Sequence, residues 1–180
     1  MLGVIVLVFP PLYGEGYDVI NSLLADDLES VTHDSIFHSH TSSIWWMFVF
    51  LIGLAVLKAI ATGITLGSGG VGGIFAPTLF MGSTIGFLYT RVYKYFEFTT
   101  LPTSNFALVG MAGLMAGLLH APLTAIFLIA EITGGYDLYV PLMLTAAIAF
   151  YISKLFSAHN IYTVELAQKG DLITHNKDKA

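Results

Sequence analysis

Between Ile44 and Leu66 the chain runs for 23 residues with one charge, Lys58, and begins with the pair Trp45 and Trp46. At about 1.5 Å per helical residue such a stretch reaches across roughly 30 Å of hydrocarbon, and tryptophans at its end sit where an interfacial belt would lie. It predicts a membrane-spanning helix. The rest of the chain has the same character: of 180 residues 56% are hydrophobic and 11% charged, and the mean hydropathy is +0.78. Those values exclude an ordinary water-soluble globule and point to an all-α polytopic membrane protein in a lipid bilayer. Seven Lys plus Arg against twelve Asp plus Glu give a net charge of −5, so the basic footprint of a nucleic-acid binder is missing. With no cysteine there is no disulfide framework, thiolate metal site or cysteine nucleophile.

The apolar opening Met1 to Phe9, followed by Pro10 and Pro11, is too short to span and reads as the tail of a helix whose upstream segment is missing; it has neither the basic start nor the cleavage site of a signal peptide. Residues 12–43 are the most polar part, with a short helix expected over Tyr17 to Leu28. After the Ile44–Leu66 span and a glycine cluster from Gly67 to Gly73, a second apolar segment runs from Ile74 to about Phe96, leaving hydrocarbon at Arg91 and Lys94. A third block, Phe106 to Thr133, is expected to break at His120-Ala121-Pro122, because proline cannot donate the helical hydrogen bond and biases its predecessor out of helix. Leu138 to Phe156 is another span, and an amphipathic helix comes after it from Tyr162 to Lys169. Residues 1–170 thus form one membrane unit and residues 171–180 a polar tail; Lys169, Lys177 and Lys179 favour a cytoplasmic C-terminus. Helices interrupted by Gly and Pro at membrane depth are tolerated only where the freed backbone is buried in protein or faces a polar cavity, the pattern of a transporter or channel.

Three motifs lead elsewhere and fail on context. Gly67-Ser-Gly69-Gly-Val-Gly72 has the G-x-G-x-x-G spacing of dinucleotide binding, but no strand of βαβ length precedes it and Pro77 interrupts the apolar segment after it. Ser68 and His120 have the residue types of a nucleophile and its base, but a serine in a glycine-rich junction more often caps or permits close packing, and a histidine before Ala-Pro at a helix break is usually structural. His33, His38 and His40 offer imidazoles for a metal, yet without acidic ligands at helical spacing they read as an exposed polar loop.

The stronger signal is Gly72-Gly73-Ile74-Phe75-Ala76-Pro77. Glycines end one helix and a new one begins with proline in its first turn, exposing backbone N–H groups at the positive end of the helix dipole. Inside a membrane such a start is an anion site that needs no full positive charge, and a full charge would hold the ion too firmly for conduction. A glycine-packed helix pair is the alternative on motif physics alone.

These residues carry a resemblance. Gly73-Ile-Phe-Ala-Pro77 is similar to the G-x-F-x-P signature of the CLC chloride channels and chloride/proton antiporters, and Thr78-Leu-Phe-Met-Gly82 comes next as in many members. Phe106 to Gly113, His120-Ala-Pro-Leu-Thr124 and Leu128-Ile-Ala-Glu131-Ile-Thr133 resemble the family's paired short helices, and Tyr162 opens a segment resembling its last membrane helix. The resemblance implies an inverted repeat of broken and re-entrant helices with ions bound near mid-membrane, of which this chain would be the second, C-terminal half. It implies that the backbone N–H groups of Ile74 and Phe75 and the hydroxyl of Tyr162 face chloride, with Gly73, Ala76 and Pro77 shaping the helix start. A phenol donates one hydrogen bond to an anion without bearing charge; an interfacial anchor is the other use of such a tyrosine.

The first-half segments G-S-G-I-P and G-[RK]-E-G-P are absent. The resemblance therefore implies a voltage-gated chloride channel or antiporter subunit that lacks its gating glutamate here and requires the missing N-terminal half as partner. It also implies a homodimer formed through residues 122–133 and 138–156; a compact chain with short loops suits a bacterial inner membrane. Chloride is the expected ligand and no cofactor is expected; a site for fluoride or nitrate, or a non-conducting scaffold, are the alternatives. Glu131 is expected to pair with a donor and hold helices together, and Lys58 to snorkel or to pair, away from the ion path.

Overall fold

The computed structural model describes residues 2–32, 44–97, 101–134 and 137–169, and over these it is all-α. The elements are α1 (Leu2–Val8), a single 3₁₀ turn (Pro10–Leu12), α2 (Tyr17–Leu24), α3 (Leu28–Thr32), α4 (Ile44–Gly67), α5 (Phe75–Tyr95), α6 (Thr103–Leu119), α7 (Pro122–Thr133), α8 (Tyr139–Phe156) and α9 (Val164–Lys169). Among the described residues, α4 and α8 are long and apolar enough to cross a membrane. The 21 residues of α5 have the length as well, but its threonines, glycines, Arg91 and Lys94 make it more polar than a lipid-facing span. It is instead the helix most enclosed by its neighbours, flanked by α2, α4 and α6.

On α4 one stripe is buried, Met47, Phe50, Leu51, Leu54, Lys58 and Ala61, at the three- and four-residue spacing of a helix face. The other side exposes Trp45, Val49, Ile52, Val56 and Ile60. A helix apolar all round, with only a stripe packed on protein, turns its remaining apolar surface to lipid. Trp45 and Phe48 at the start of α4 meet Tyr95 at the end of α5, each with ring centroids 6.2 Å from it. The two helices are therefore antiparallel, and the start of α5 lies toward the C-terminal end of α4.

The centre of the bundle is the α5/α6 pair, the most extensive helix contact in the chain. Gly82 and Gly86 on α5 face Gly110 on α6 so closely that a Cβ on Gly82 would lie 2.6 Å from Met111 Cα. In lipid, where apolar surface gains nothing by leaving water, such small-residue contacts drive helix association by letting backbones touch. The buried hydroxyls of α5 are satisfied within it: Thr78 donates to Ile74 C=O at 2.7 Å, Ser83 and Thr84 to Phe80 C=O, and Thr90 to Phe87 C=O. Hydroxyls bonded back to the preceding turn let a polar sequence sit inside the bundle.

Two expectations need correction. The single helix expected over Tyr17–Leu28 ends at Leu24, and α3 begins at Leu28. Asp26 takes a left-handed backbone, φ 61°, which stops the first helix, while Asp27 Oδ1 accepts the Ser30 N–H at 3.1 Å and starts the second. The Asp26 carboxylate then lies 2.7 Å from Arg91 on α5. The last helix starts at Val164 rather than Tyr162, because the Asn160 side chain holds residues 160–163 in a turn ahead of it. The break at His120-Ala-Pro122 is where the proline placed it: His120 is left-handed, φ 54°, and ends α6, and Pro122 is the first residue of α7. His33, His38, His40, Lys177, Lys179 and the tail 171–180 lie outside the described residues.

Adding one methyl at Gly86→Ala should force α5 off α6, with the loss of about 1–3 kcal/mol typical of overpacking. Thermal unfolding in detergent is expected to show a clearly lowered midpoint, whereas Gly63→Ala, with open space at its Cβ, should leave it unchanged.

Candidate functional site

Gly70, Gly72 and Gly73 separate α4 from α5, and Ile74 is the residue on which α5 opens. The first amide of the helical ladder is that of Thr78, which donates to Ile74 C=O at 3.0 Å. The N–H groups of Ile74, Phe75 and Ala76 thus have no carbonyl in their own helix to receive them, and Pro77 has none to offer. The amides stand at the positive end of a dipole equivalent to roughly half an elementary charge.

Phe75, Ala76 and Pro77, together with Gly72 and Gly73, line one side of a cavity of about 580 Å³, while Ile74 between them is not among its lining residues. Lys58, Thr62 and Thr65 of α4 line another, and Leu12, Tyr13, Gly14 and Glu15 a third. The threonine hydroxyls are engaged, Thr62 donating to Lys58 C=O and Thr65 to Ala61 C=O, both at 2.8 Å. Such a wall offers an anion backbone donors at the helix start. Among the described residues no group of three or more acidic or imidazole side chains is placed to hold a metal ion.

Lys58 does not snorkel. It is 3% exposed, and its Nζ donates to Leu12 C=O at 3.2 Å and Gly14 C=O at 2.9 Å while lying 4.7 Å from the Phe80 ring centroid. A buried ammonium is stable only when hydrogen-bonded, and an aromatic face adds attraction. Gly16 completes the fit: its φ is +87°, and a Cβ there would collide with the Phe80 ring. One side chain on α4 thereby ties the 12–16 turn to α5 beside the helix start. Sequence reading kept Lys58 away from the ion path; the structure puts it on the cavity wall. The signal was present in its being the one charge within the Ile44–Leu66 run.

Tyr162 lies elsewhere. It is 54% exposed, sits in the turn before α9, and is not among the residues lining this cavity. Its backbone N–H donates to Asn160 Oδ1 at 3.1 Å, and Thr163 donates to the same oxygen through its N–H at 2.8 Å and its hydroxyl at 2.9 Å. An asparagine oxygen so engaged holds a turn ahead of a helix, which is why α9 begins two residues later than expected. Asn160 was not singled out from the sequence, although asparagine shortly before an amphipathic run is a helix-start signal.

Ser68 and His120 do not meet. Ser68 Oγ donates to Thr65 C=O, and His120 Nε2 meets Ser153 Oγ at 3.2 Å, so each has a different partner from the one a nucleophile and base would require. The Ser153 hydroxyl gives its proton to Gly117 C=O at 2.5 Å, which makes it the acceptor for His120 Nε2–H. Glu131 stands in the last turn of α7, exposed, with its carbonyl accepting Gly134 N–H. The expected bridge from its carboxylate is not formed among the described residues.

Compared with known proteins, residues 1–154 match the family model described as voltage gated chloride channel. The chain belongs to the voltage-gated chloride channel family. Its apolar all-α architecture, with two helices among the described residues long enough to cross a membrane, is in keeping with that membrane-protein family. It is 31% identical over 172 residues to a putative chloride channel protein ClcB-like of Ralstonia nicotianae, covering 95% of this chain and 36% of that protein. It is 31% identical over 174 residues to the voltage-gated ClC-type chloride channel ClcB of Citrobacter koseri, covering 93% of this chain and 36% of the relative. With ClcB of Salmonella typhimurium the identity is 30% over 173 residues, with the same coverage. The chain therefore spans little more than a third of the length of the curated relatives it matches.

Removing the ammonium tests its part in this geometry. Lys58→Met is expected to leave the Leu12 and Gly14 carbonyls without their donor and to cost about 1–3 kcal/mol. Hydrogen exchange should accelerate across residues 12–17 and at the start of α5 more than elsewhere.

Proposed function

We propose that this chain forms one side of a chloride pathway, with chloride held by the backbone N–H groups of Ile74 and Phe75, and with the hydroxyl of Tyr162, which stands outside the cavity at that helix start, as a further donor along the pathway. Gly73, Ala76 and Pro77 shape the helix start and leave it open. The observation that carries the reading is the run of N–H groups at the first turn of α5 with no carbonyl of their own helix to receive them, where Phe75 and Ala76 line a cavity inside a chloride-channel family fold. Partial charges from a helix start suit transport better than a full charge in contact with the ion, because the anion must leave as readily as it arrives.

The proposal extends to the assembly. A segment bearing the serine and glutamate motifs of the family's first half would face α5 and complete the site, in the manner of inverted-repeat transporters. Exposed apolar residues on α7 and α8, including Leu123, Phe127, Val140, Leu144, Ile148 and Leu155, are suited to lipid or to a second copy in a homodimer. A bacterial inner membrane with a cytoplasmic C-terminus fits the bacterial relatives and Lys169 near the end of α9.

Calorimetric titration of chloride into the purified native polypeptide that contains this chain tests the site. Ile74→Pro removes one donor at a position whose φ of −84° is close to that of proline, and Tyr162→Phe removes the phenol. Each is expected to weaken chloride binding roughly three- to tenfold, the worth of one hydrogen bond. Wild-type affinity in a folded Ile74→Pro protein would contradict the helix-start site, and a competition series with nitrate and fluoride ranks the anions it accepts.

A further inference from the structure

The last turn of α6 must dispose of carbonyls that have no helical donor, since His120 goes left-handed and the ladder stops. Inside a membrane, water cannot be counted on to cover them. Two side chains from the far end of α8 and beyond do so. Ser153 Oγ donates to Gly117 C=O at 2.5 Å, and Asn160 Nδ2 donates to Leu119 C=O at 3.3 Å.

Asn160 is engaged at both ends of its amide. While Nδ2 covers α6, Oδ1 accepts from the Tyr162 N–H, the Thr163 N–H and the Thr163 hydroxyl. An asparagine has a donor and an acceptor on one short rigid group; aspartate lacks the donor and alanine lacks both. Tyr162 is 54% exposed, so packing within the chain covers it only in part. Its direction is set by its backbone turn, and that turn is held by Asn160.

We propose that Asn160 is the positioning residue for Tyr162, fastening the turn that carries the phenol to the broken end of α6. This rests on the reading of Tyr162 as an anion ligand. The place of the α6/α7 break then has a second use: besides interrupting a helix, it presents the carbonyl on which the Tyr162 turn is docked.

The test is a double-mutant cycle on the native polypeptide containing this chain, read by chloride titration and by hydrogen exchange. Asn160→Ala is expected to lower chloride affinity roughly as much as Tyr162→Phe, three- to tenfold, and to accelerate exchange at the Tyr162 and Thr163 amides. In the Tyr162→Phe background Asn160→Ala should cause no further loss, a coupling that general loosening of the fold would not produce. If Asn160→Ala does not assemble, Asn160→Gln, with both amide ends on a longer arm, is expected to show the same coupling at smaller size. Loss of affinity in Tyr162→Phe with none in folded Asn160→Ala or Asn160→Gln overturns the positioning role alone. No loss in Tyr162→Phe itself overturns the anion reading of Tyr162 and this role with it.

Discussion

In hydrocarbon a backbone amide or carbonyl without a partner costs several kcal/mol, because no water stands by to replace a missing protein bond. Most of this structure reflects how the chain meets that demand where its helices stop. Within helices the ladder suffices, and buried hydroxyls such as Thr78 and Thr84 are folded back onto the preceding turn. At the ends the solutions diverge. Carbonyls at the close of α6 are covered by Ser153 and Asn160. Those of Leu12 and Gly14 receive the Lys58 ammonium. The amides opening α5 have no carbonyl of their own helix and face a cavity.

That asymmetry has a chemical meaning. The carbonyls of Gly117 and Leu119 at the close of α6 are covered by protein donors within the chain, whereas the amide end of α5 opens onto space that an anion can occupy. The arrangement also explains the buried lysine. Lys58 sits on the cavity wall with Phe80 beneath it and two carbonyls before it, so its ammonium is fastened to the 12–16 turn.

Much of the architecture was legible from hydrophobicity and punctuation. The Ile44–Leu66 run appears as α4, the proline at 122 begins a helix, and glycines precede the helix start at Ile74. What escaped was local hydrogen bonding by short polar side chains. Nothing in composition announces that Asp26 turns left-handed between two helices, or that Asn160 gathers three donors and delays α9. Those choices depend on partners far along the chain. Of the candidate site, the helix start was legible because it is made of backbone that Gly73 through Pro77 mark by motif, while the partners of Lys58 and of Asn160 arise only from tertiary contacts. Glu131 illustrates the reverse error, since its place within an apolar block suggested a bridging acid and the structure puts it in the exposed last turn of α7.

The central claim is that the amides of Ile74 and Phe75 donate to chloride. It is tested most directly by nuclear magnetic resonance of the native polypeptide in detergent, tracking backbone ¹H and ¹⁵N signals of the Gly72–Thr78 segment as chloride replaces a large non-binding anion. The account predicts saturable downfield proton shifts at Ile74 and Phe75, larger than at Thr78, whose N–H is already bonded to Ile74 C=O. Shifts absent at Ile74 and Phe75 while chloride demonstrably binds the protein would contradict it.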